Sequence, residues 1–485
     1  MRLKPLFSAF LAVLSIACSR NEFSSLYEDL PFDMPKLERP SIPGRTISVA
    51  DKGAVGDGVV LNTAVFAEAI GELAENGGGT LTVPAGIYLT GPITLRSNIC
   101  LNLEKGAVLS FSTDPADYPV IDTNFEGLDV RRCTSPINAS GAHDIAITGE
   151  GIIDGNGDAW REVKRRKVGD DQWKMVMKRG GVLSDDGKVW FPDEGYKAAR
   201  ATAGTLNKPS DDLDESEIIT FLRPVMVSFR ECENVLLEGV TFLNSPCWNI
   251  HPLWCKNLIV KDIIVRNPHY STNGDGIDID ACENVILTGS TFDVGDDAIC
   301  IKSGKDEDGR RHARVCRNLV IDGCTVYHGH GGFVVGSEMS GGVENIAVRN
   351  CTFLGTDVGL RFKSTRGRGG EVKNILCENI RMKDIVTYAV IFNLYYAGVA
   401  ATEMSQGGLV EEVKADETTP DFHDITIRGI KCAGAAQAVY LNGLPELPLR
   451  NISISDSDFA AEKGVEMHNS VDITIDGVKV NGKEV

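Results

Sequence analysis

Positive charge and long apolar runs are both scarce in this sequence. Its 485 residues carry 49 lysines and arginines against 68 aspartates and glutamates, which gives a formal net charge of −19. Such an acidic chain is a poor partner for nucleic acid or for an anionic membrane surface. The apolar run from Leu6 to Ala17 is too short to span a bilayer as a stable anchor, and no other segment is long and apolar enough. Nucleic-acid binding and a membrane-spanning helix are therefore excluded from the expected functions.

The N-terminal segment has the features of an export signal. Arg2 and Lys4 form a basic start, and the apolar run ends in Leu14-Ser15-Ile16-Ala17-Cys18. This segment resembles a bacterial lipoprotein signal in which Cys18 becomes the lipidated first residue; Ser15 departs from the leucine preferred there, so an ordinary cleaved signal peptide is the alternative. We expect residues 1–18 to be the signal and residues 19–44 a polar tether. The expected location is the periplasm or outer membrane of a Gram-negative bacterium, with membrane contact only through Cys18.

The 13 cysteines have no spacing that indicates a zinc site or a disulfide framework. Cys232, Cys255, Cys282 and Cys316 each lie two residues before an asparagine, so they occupy equivalent places in a repeat. Free cysteine is among the most buried residue types, and we predict that most of these thiols are stacked in a core. No metal and no cofactor is expected.

A repeated unit fills the body of the chain, without amphipathic helices between its copies. Each unit has a polar anchor, an alternating apolar strand, a glycine or charge, and a second short strand. The anchors are Asp144, Asn234, Asn257, Asn284, Asn318, Asn345, Asn374, Asp424, Asn451 and Asp472. This pattern predicts an all-β parallel β-helix that forms one domain over residues 45–485. Apolar residues at helical spacing predict a helix over 62–75, begun by Asn62 or Thr63, that caps the open end of the solenoid.

Two insertions interrupt the repeat. Residues 160–222 form the larger one, and the stretch Arg161–Arg200 holds eleven lysines and arginines against seven aspartates and glutamates. It is either a solvated loop with a small core of its own or one wall of a cleft for an anionic sugar chain. The second insertion, around 395–420, contains Tyr395 and an acidic run that predicts a solvated loop.

Aspartates concentrate in two consecutive coils. Asp275 follows Asn273-Gly274, and Asp296 and Asp297 come 21 and 22 residues later, close to the length of one coil. In a solenoid that step leads to the neighbouring strand, about 4.8 Å away. Crowded carboxylates raise at least one pKa, which places a proton donor beside ionised bases, as glycosidic hydrolysis requires. A turn role would explain any one Asp-Gly step, but not three aspartates in register.

Cationic and polar candidates follow further along the chain. His330 lies among glycines, and Arg361 and Lys363 are two apart on a strand, so they share a face. An arginine with a nearby lysine suits a sugar carboxylate. The remaining candidates for substrate binding are Asn273, Tyr270, Lys302 and Tyr395.

Taken in order, the motifs Asn-x-Asp-Gly, Gly-Asp-Asp, Gly-His-Gly and Arg-x-Lys resemble those of glycoside hydrolase family 28, the polygalacturonases, over roughly residues 45–480. The resemblance implies a right-handed parallel β-helix that hydrolyses galacturonic-acid linkages with inversion and without metal. It implies Asp296 as general acid, Asp275 and Asp297 as the pair that activates water, and His330 as the histidine that supports the acid and the substrate. Arg361 and Lys363 match the carboxylate ligands. Gly274 and Phe362 depart from the usual threonine and isoleucine.

The expected substrate is a pectic polysaccharide or oligogalacturonide, cut from a chain end. A rhamnogalacturonan-directed galacturonidase of the same family is an alternative. A calcium-dependent pectate lyase, which shares the β-helix, and a non-catalytic β-helix that binds glycans also stay open. The complete set of catalytic and cationic residues argues against a pure binding role.

Overall fold

The computed structural model describes residues 22–204, 208–396 and 412–485, and these form a parallel β-helix with three ladders of stacked strands. The predicted fold class is confirmed. Ladder A has thirteen strands: Thr46–Ser48, Gly79–Val83, Ile99–Leu103, His143–Gly149, Glu233–Glu238, Lys256–Lys261, Glu283–Thr288, Cys316–Asp322, Val343–Arg349, Glu371–Glu378, Asp421–Arg428, Leu449–Ser455 and Ser470–Asp476.

Ladders B and C share the long strands near the C-terminus. Ladder B contains Asp57–Leu61, Gly86–Thr90, Ala107–Phe111, Ile152–Asp154, Thr241–Leu243, Ile264–Arg266, Thr291–Asp293, Thr325–Val326, Thr352–Leu354, Arg381–Lys383, Lys431–Asn442, Asp458–His468 and Lys479–Val480, with Lys483–Glu484 antiparallel at its end. Ladder C contains Ile93–Thr94, Ile137–Ser140, Val227–Arg230, Ile250–Leu253, Ile277–Asp280, Asp297–Lys302, Gly331–Val335, Val358–Lys363 and Tyr388–Asn393, and then continues along the second halves of Lys431–Asn442 and Asp458–His468.

Side chains of ladder C alternate between the core and an outer face, as the two-residue period of a strand requires. In Val358–Lys363, Leu360 and Phe362 point into the continuous core. Phe362 stacks on Phe392 with ring centroids 4.1 Å apart, which explains an aromatic residue at this position. The alternate residues, Arg361 and Lys363, are also buried, so the outer face of ladder C is covered as well.

The predicted anchors form a hydrogen-bonded row beside ladder A. The Asn284 amide donates to Asn257 at 3.0 Å and accepts from Asn318 at 3.0 Å, and the same contact links neighbours from Asp144 to Asn374. Each anchor has a positive φ, a conformation that asparagine and aspartate tolerate better than other non-glycine residues. Each repeat in the sequence therefore contains one residue in the left-handed conformation, and side-chain hydrogen bonds connect these residues from coil to coil.

Helix α1, Thr63–Glu75, covers the N-terminal end of the core with Phe66, Ala69, Ile70 and Leu73. The helix prediction is confirmed, but Asn62 does not cap it through its side chain. Its carboxamide oxygen instead accepts from Val55 N at 2.8 Å, and its amide nitrogen donates to backbone oxygens.

The larger insertion folds around a small core separate from that of the solenoid, to which Tyr118 and Cys133 also contribute. It contains α2, Asp170–Met177, and α3, Glu194–Ala203, with a sheet of Val163–Lys164, Val189–Phe191 and Val182–Leu183. Trp160, Phe191 and Tyr196 pack inside it. Earlier in the chain an antiparallel hairpin, Val120–Phe125 with Leu128–Cys133, also leaves the solenoid, and the short helix α4, Asp306–His312, follows the ladder C strand Asp297–Lys302.

Residues 22–44, expected as a tether, lie along the outer face of ladder A. Phe23 and Leu37 pack on outward-facing apolar residues such as Leu236 and Ile259. Arg39 pairs with Glu238 at 2.7 Å. This segment covers an apolar stripe that the coils leave exposed on that side.

All twelve cysteines that the structure describes are buried and free, as predicted, and Cys18 lies outside the described residues. So does most of the second insertion, residues 397–411. None of the helices in the described residues is long and apolar enough to cross a bilayer.

Candidate active site

A cavity of about 970 Å³ lies on the outer face of ladder C. Asp275, Asp296, Asp297, His330 and Lys363 all line it, so the structure brings the central predicted residues together. Asn273 and Lys302 line it too.

The strand register sets the arrangement of the three aspartates. Asp278 pairs with Cys300, an offset of 22 residues, and Gly276 N donates to Asp297 O at 3.0 Å. Asp275 is therefore level with Asp297, and Asp296 precedes that level by one residue. One carboxylate oxygen from each of the three lies within 4.8 Å of the others. Three acidic groups this close cannot all be ionised without a large electrostatic cost.

The surroundings separate the pKa values of these carboxyls. Burial, together with the charges of Asp278 and Asp296, raises the pKa of Asp275 well above its usual range. Burial also raises the pKa of Asp297, but Lys363 and Arg361 outweigh it and hold that pKa below the ordinary value. For Asp296, burial is likewise outweighed, by His330 and then Lys167 and Lys363, so its pKa is lowered. Of the three carboxyls, Asp275 is therefore the one that is protonated most readily.

His330 connects Asp296 to a further acid. Its Nδ1 lies 2.9 Å from Asp296 Oδ1, and its Nε2 lies 3.8 Å from Asp357 Oδ2. His330 N also donates to Asp296 O at 2.9 Å, which fixes the ring beside the carboxylate. Asp357, which lines the cavity, was not singled out in the sequence, although it lies only four residues before Arg361.

Arg361 and Lys363 are held by Asp297 rather than left open to solvent. Lys363 Nζ lies 2.6 Å from Asp297 Oδ2, and Arg361 Nη1 lies 3.3 Å from Oδ1. Arg361 is 1% exposed. The ring of Tyr396 covers both cations, with Lys363 Nζ 4.8 Å from its centroid. Lys363 reaches the cavity, whereas Arg361 acts on Asp297 from behind it.

Lys302 is likewise occupied by protein groups. Its ammonium lies 3.2 Å from Asp278 Oδ1, 3.7 Å from Glu338 Oε2 and 3.6 Å from the centre of the Trp248 ring. Burial raises the pKa of Asp278 to about 8, although Lys302 opposes this. Lys302 therefore forms part of the cavity floor, fixed between two acids and an aromatic ring.

Asn273 is positioned by a buried arginine that the sequence did not reveal. Arg223 donates to Asn273 Oδ1 at 2.8 Å and to Thr272 O at 3.0 Å. The neighbouring Gly274 is also explained, because a Cβ there would lie 1.8 Å from Ser271 Oγ. A threonine at position 274 would therefore require this loop to move.

Two predicted substrate ligands lie elsewhere. Tyr270 is buried against the insertion, in a cluster with Val163, Val168 and Trp190, and its hydroxyl donates to Asp158 at 3.3 Å. Tyr395 packs against the core, and its hydroxyl accepts from Asn469 at 3.4 Å. Neither lines the cavity. Adjacent residues do so instead: His269 beside Tyr270, and Tyr396 beside Tyr395.

Two chain excursions, which also contact each other through Cys133 N and Leu222 O, line the cavity. The insertion contributes Glu162, Lys164, Arg166, Lys167 and Arg200 to its lining. The hairpin contributes Phe125, Glu126 and Arg132, and it contacts the segment around α4. In that contact Lys305 N donates to Gly127 O at 3.1 Å, and Asp129 pairs with Arg311 at 2.8 Å. The insertion thus has both a core separate from that of the solenoid and a face on the cavity, and the hairpin is a wall that no motif had indicated.

The three aspartates are close enough together to hold a cation. Their positive partners are already present, however, because Lys363 and Arg361 contact Asp297 and His330 contacts Asp296. A second acidic group, Glu371, Asp421 and His423, lies on ladder A and pairs with Lys373 and Arg450. Neither arrangement requires a metal for charge balance.

Comparison with known proteins agrees with this geometry. Residues 219–475 match the model of glycosyl hydrolases family 28. The solved structure of a hyperthermoactive exopolygalacturonase from Thermotoga maritima is 31% identical, with a TM-score of 0.76 over 93% of this chain and 94% of that one. An exo-poly-alpha-D-galacturonosidase of Dickeya chrysanthemi is 29% identical over 82% of this chain and 64% of its own length. An endo-polygalacturonase of Pectobacterium carotovorum is 27% identical over 76% of this chain and 78% of its own.

A parallel β-helix with a carboxylate cluster in a groove on one ladder defines a class of carbohydrate-active enzymes. Within that class, this chain belongs to family 28 of the glycosyl hydrolases. It is a glycoside hydrolase of the polygalacturonase type.

Proposed function

We propose that this enzyme hydrolyses galacturonic-acid linkages of pectin, releasing small products from a chain end. The observation that carries the proposal is the convergence of Asp275, Asp296 and Asp297 in a cavity that also presents Lys167 and Arg200. The carboxylates match the reaction, and the cations match an anionic sugar chain in a protein that is otherwise acidic.

Action at a chain end is supported by the two walls. A polymer that is cut internally must pass through a groove open at both ends. Here the insertion and the hairpin line the cavity together, and the hairpin also joins the α4 segment through Gly127 and Asp129. Relatives of both kinds exist, since the Dickeya and Thermotoga proteins bear exo names and the Pectobacterium protein an endo name.

In the proposed reaction Asp296 protonates the leaving oxygen, while Asp275 and Asp297 activate water. His330 contributes most to the lowered pKa of Asp296, and the charges of Lys167 and Lys363 lower it further. A bound galacturonate carboxylate would offset those charges and raise the pKa of Asp296. The proton on Asp275, whose carboxylate lies within 4.8 Å, could then pass to Asp296 and leave Asp275 as the base.

The stereochemical outcome needs a direct measurement. Inverting glycosidases usually separate their carboxyl groups by about 6.5–9.5 Å, and retaining ones by about 5–5.5 Å. The nearest oxygens of these three groups lie within 4.8 Å, so spacing alone does not favour inversion. The proposal of inversion rests on the family, and proton NMR of the first anomer released tests it.

The decisive experiment follows viscosity and reducing ends together on polygalacturonate, with Asp296→Asn as the inactive control. Steady release of one small product at nearly unchanged viscosity supports the proposal. An early fall in viscosity with a ladder of oligomers would mean internal cleavage. If products form from rhamnogalacturonan I but not from polygalacturonate, rhamnogalacturonan I is the substrate. Unsaturated product ends would indicate a lyase. Binding without any product would indicate a glycan-binding protein.

We also propose that the enzyme is exported and anchored through a lipid on Cys18, which lies outside the described residues. The basic start, short apolar run and cysteine support this proposal. Metabolic labelling with a radioactive fatty acid should mark the parent but not Cys18→Ser. A soluble, unlabelled parent would instead favour an ordinary signal peptide.

A further inference from the structure

Lys167 stands apart from the family's motifs. It belongs to the large insertion and lies outside residues 219–475, the stretch that matches the family model. It nevertheless lines the cavity that holds the three aspartates. Its role therefore cannot be transferred from the motifs and must be inferred from its position.

The backbone of Lys167 is fixed on both sides. Nε2 of His269, a solenoid residue, lies 3.1 Å from the Lys167 carbonyl oxygen, which can only accept. The next residue, Val168, is buried in a cluster with Trp190 of the insertion and Tyr270 of the solenoid. Arg165 donates to Val168 O at 2.8 Å and completes the turn. The insertion is thus docked on the solenoid at the point where Lys167 enters the cavity.

The Lys167 ammonium differs from the other cations of the cavity. Lys363 pairs with Asp297, Lys302 with Asp278, and Arg366 with Glu446. Among the residues that the structure describes, Lys167 has no ion pair or side-chain hydrogen bond. Burial lowers its pKa, and the charge of Asp296 is the strongest influence that opposes this. A half-buried ammonium without a close partner leaves its hydrogen-bonding capacity for a ligand.

We infer that Lys167 binds the carboxylate of the galacturonate unit next to the cleaved bond, and so makes the insertion a determinant of uronate specificity. This inference rests on the proposed function. Lys363 and Arg361 already neutralise Asp297, so the carboxylate of an incoming sugar needs a different cation. Lys167 is placed to supply it, because it lines the same cavity as Asp296.

The test compares Lys167→Met with Lys167→Arg and with Lys174→Met. Lys174 belongs to the same insertion, in α2, but is exposed and lies outside the cavity. We expect Lys167→Met to lower kcat/KM on oligogalacturonate roughly ten- to hundredfold, mainly through KM, because a charge-assisted hydrogen bond is lost. Lys167→Arg should retain most activity, and Lys174→Met should match the parent. Equal melting temperatures of all variants would exclude a folding defect.

Calorimetric binding separates this inference from the proposed function. The parent should bind oligogalacturonate more tightly than the same oligomer with its carboxyls reduced to alcohols, and Lys167→Met should lose most of that preference. An unchanged preference in Lys167→Met, or an equal loss in Lys174→Met, would overturn the inference. A parent that binds uronates through Lys167 but releases no product would overturn the proposed function alone.

Discussion

The asparagine row beside ladder A and the side chains on the outer face of ladder C belong to the same coils, but they differ in regularity. Each asparagine contacts its equivalent in the next coil, as Asn284 does with Asn257 and Asn318. On ladder C, equivalent positions hold different groups. Asp278 and Cys300 are paired on neighbouring strands, and Arg361 occupies the same position two strands further along the ladder. The repeated asparagines stabilise the turns of successive coils. The side chains on ladder C do not repeat, which allows opposite charges to contact each other there.

The two regions also differ in how well their polar groups are satisfied. The Asn284 amide both donates and accepts within the row. The Oδ1 atom of Asp275 is buried without a hydrogen-bond partner among the residues that the structure describes, and two further carboxylates lie nearby. Buried, unsatisfied acids destabilise the folded state and persist mainly at functional sites. Substitutions in the asparagine row should therefore reduce stability, and substitutions in the carboxylate cluster should reduce activity.

The largest effect is expected from Asp296→Asn. The amide keeps the shape of the side chain but cannot donate a proton to the leaving oxygen, so turnover should fall about 10²–10⁴-fold. The fall should be much smaller on an aryl galacturonide, whose leaving group needs no acid. Asp275→Asn should lose activity on both substrates, because it removes the base. The opposite pattern would exchange the roles of Asp275 and Asp296.

The next largest effect is expected on stability. Asn284→Gly should lower the free energy of unfolding by about 1–3 kcal/mol, since it removes buried side-chain hydrogen bonds. Glycine accepts the φ of 60° at this position, so Asn284→Ala should be less stable still. Asp275→Asn should unfold no earlier than the parent, because it relieves a buried acidic cluster. Denaturant unfolding of the three variants checks this order, and a large loss of stability in Asp275→Asn would contradict the comparison.

The regular side of the molecule could be predicted from the sequence. Anchors such as Asn257 and Asn318 recur at coil-length intervals, and each coil can only bury its apolar face by stacking on the next. The aspartates could also be predicted, because their spacing matches one coil. The strand register adds which member of the pair is level with Asp275, namely Asp297.

The partners of the cationic side chains could not be predicted. Nothing in the local sequence indicates that Asp297 occupies Arg361 and Lys363, because those contacts join strands 64 and 66 residues away. The choice between neighbours, as with Tyr395 and Tyr396, depends on where a loop turns. The roles of Arg223 and the hairpin could not be predicted either. They depend on contacts between chain segments outside the repeat, and such segments leave no periodic pattern in the sequence.

A moderate effect is expected on the pH dependence of kcat/KM. The free enzyme acts with one proton, held by Asp275, whose raised pKa keeps it bound well above about 3.9, the usual aspartate value; the acidic limb therefore reports protonation of Asp297. Lys363→Gln removes the main positive influence on Asp297, which raises the pKa of Asp297. The acidic limb should then move to higher pH or become steeper, whereas the exposed Lys383→Gln should leave it in place. A move to lower pH would contradict the assignment.

The smallest effect is expected from a chelator, which should leave activity unchanged. Two acidic groups could hold a cation by distance alone: the aspartate cluster, and Glu371 with Asp421 and His423. In both, protein cations already contact the carboxylates, as Lys363 contacts Asp297 and Lys373 contacts Glu371. A divalent ion would have to displace or repel these ammonium groups, which opposes tight binding. The comparison should use dialysed enzyme with and without EDTA, followed by added calcium. Loss of activity that calcium restores, together with unsaturated product ends, would replace hydrolysis by elimination and would make the irregular outer face of ladder C a metal site.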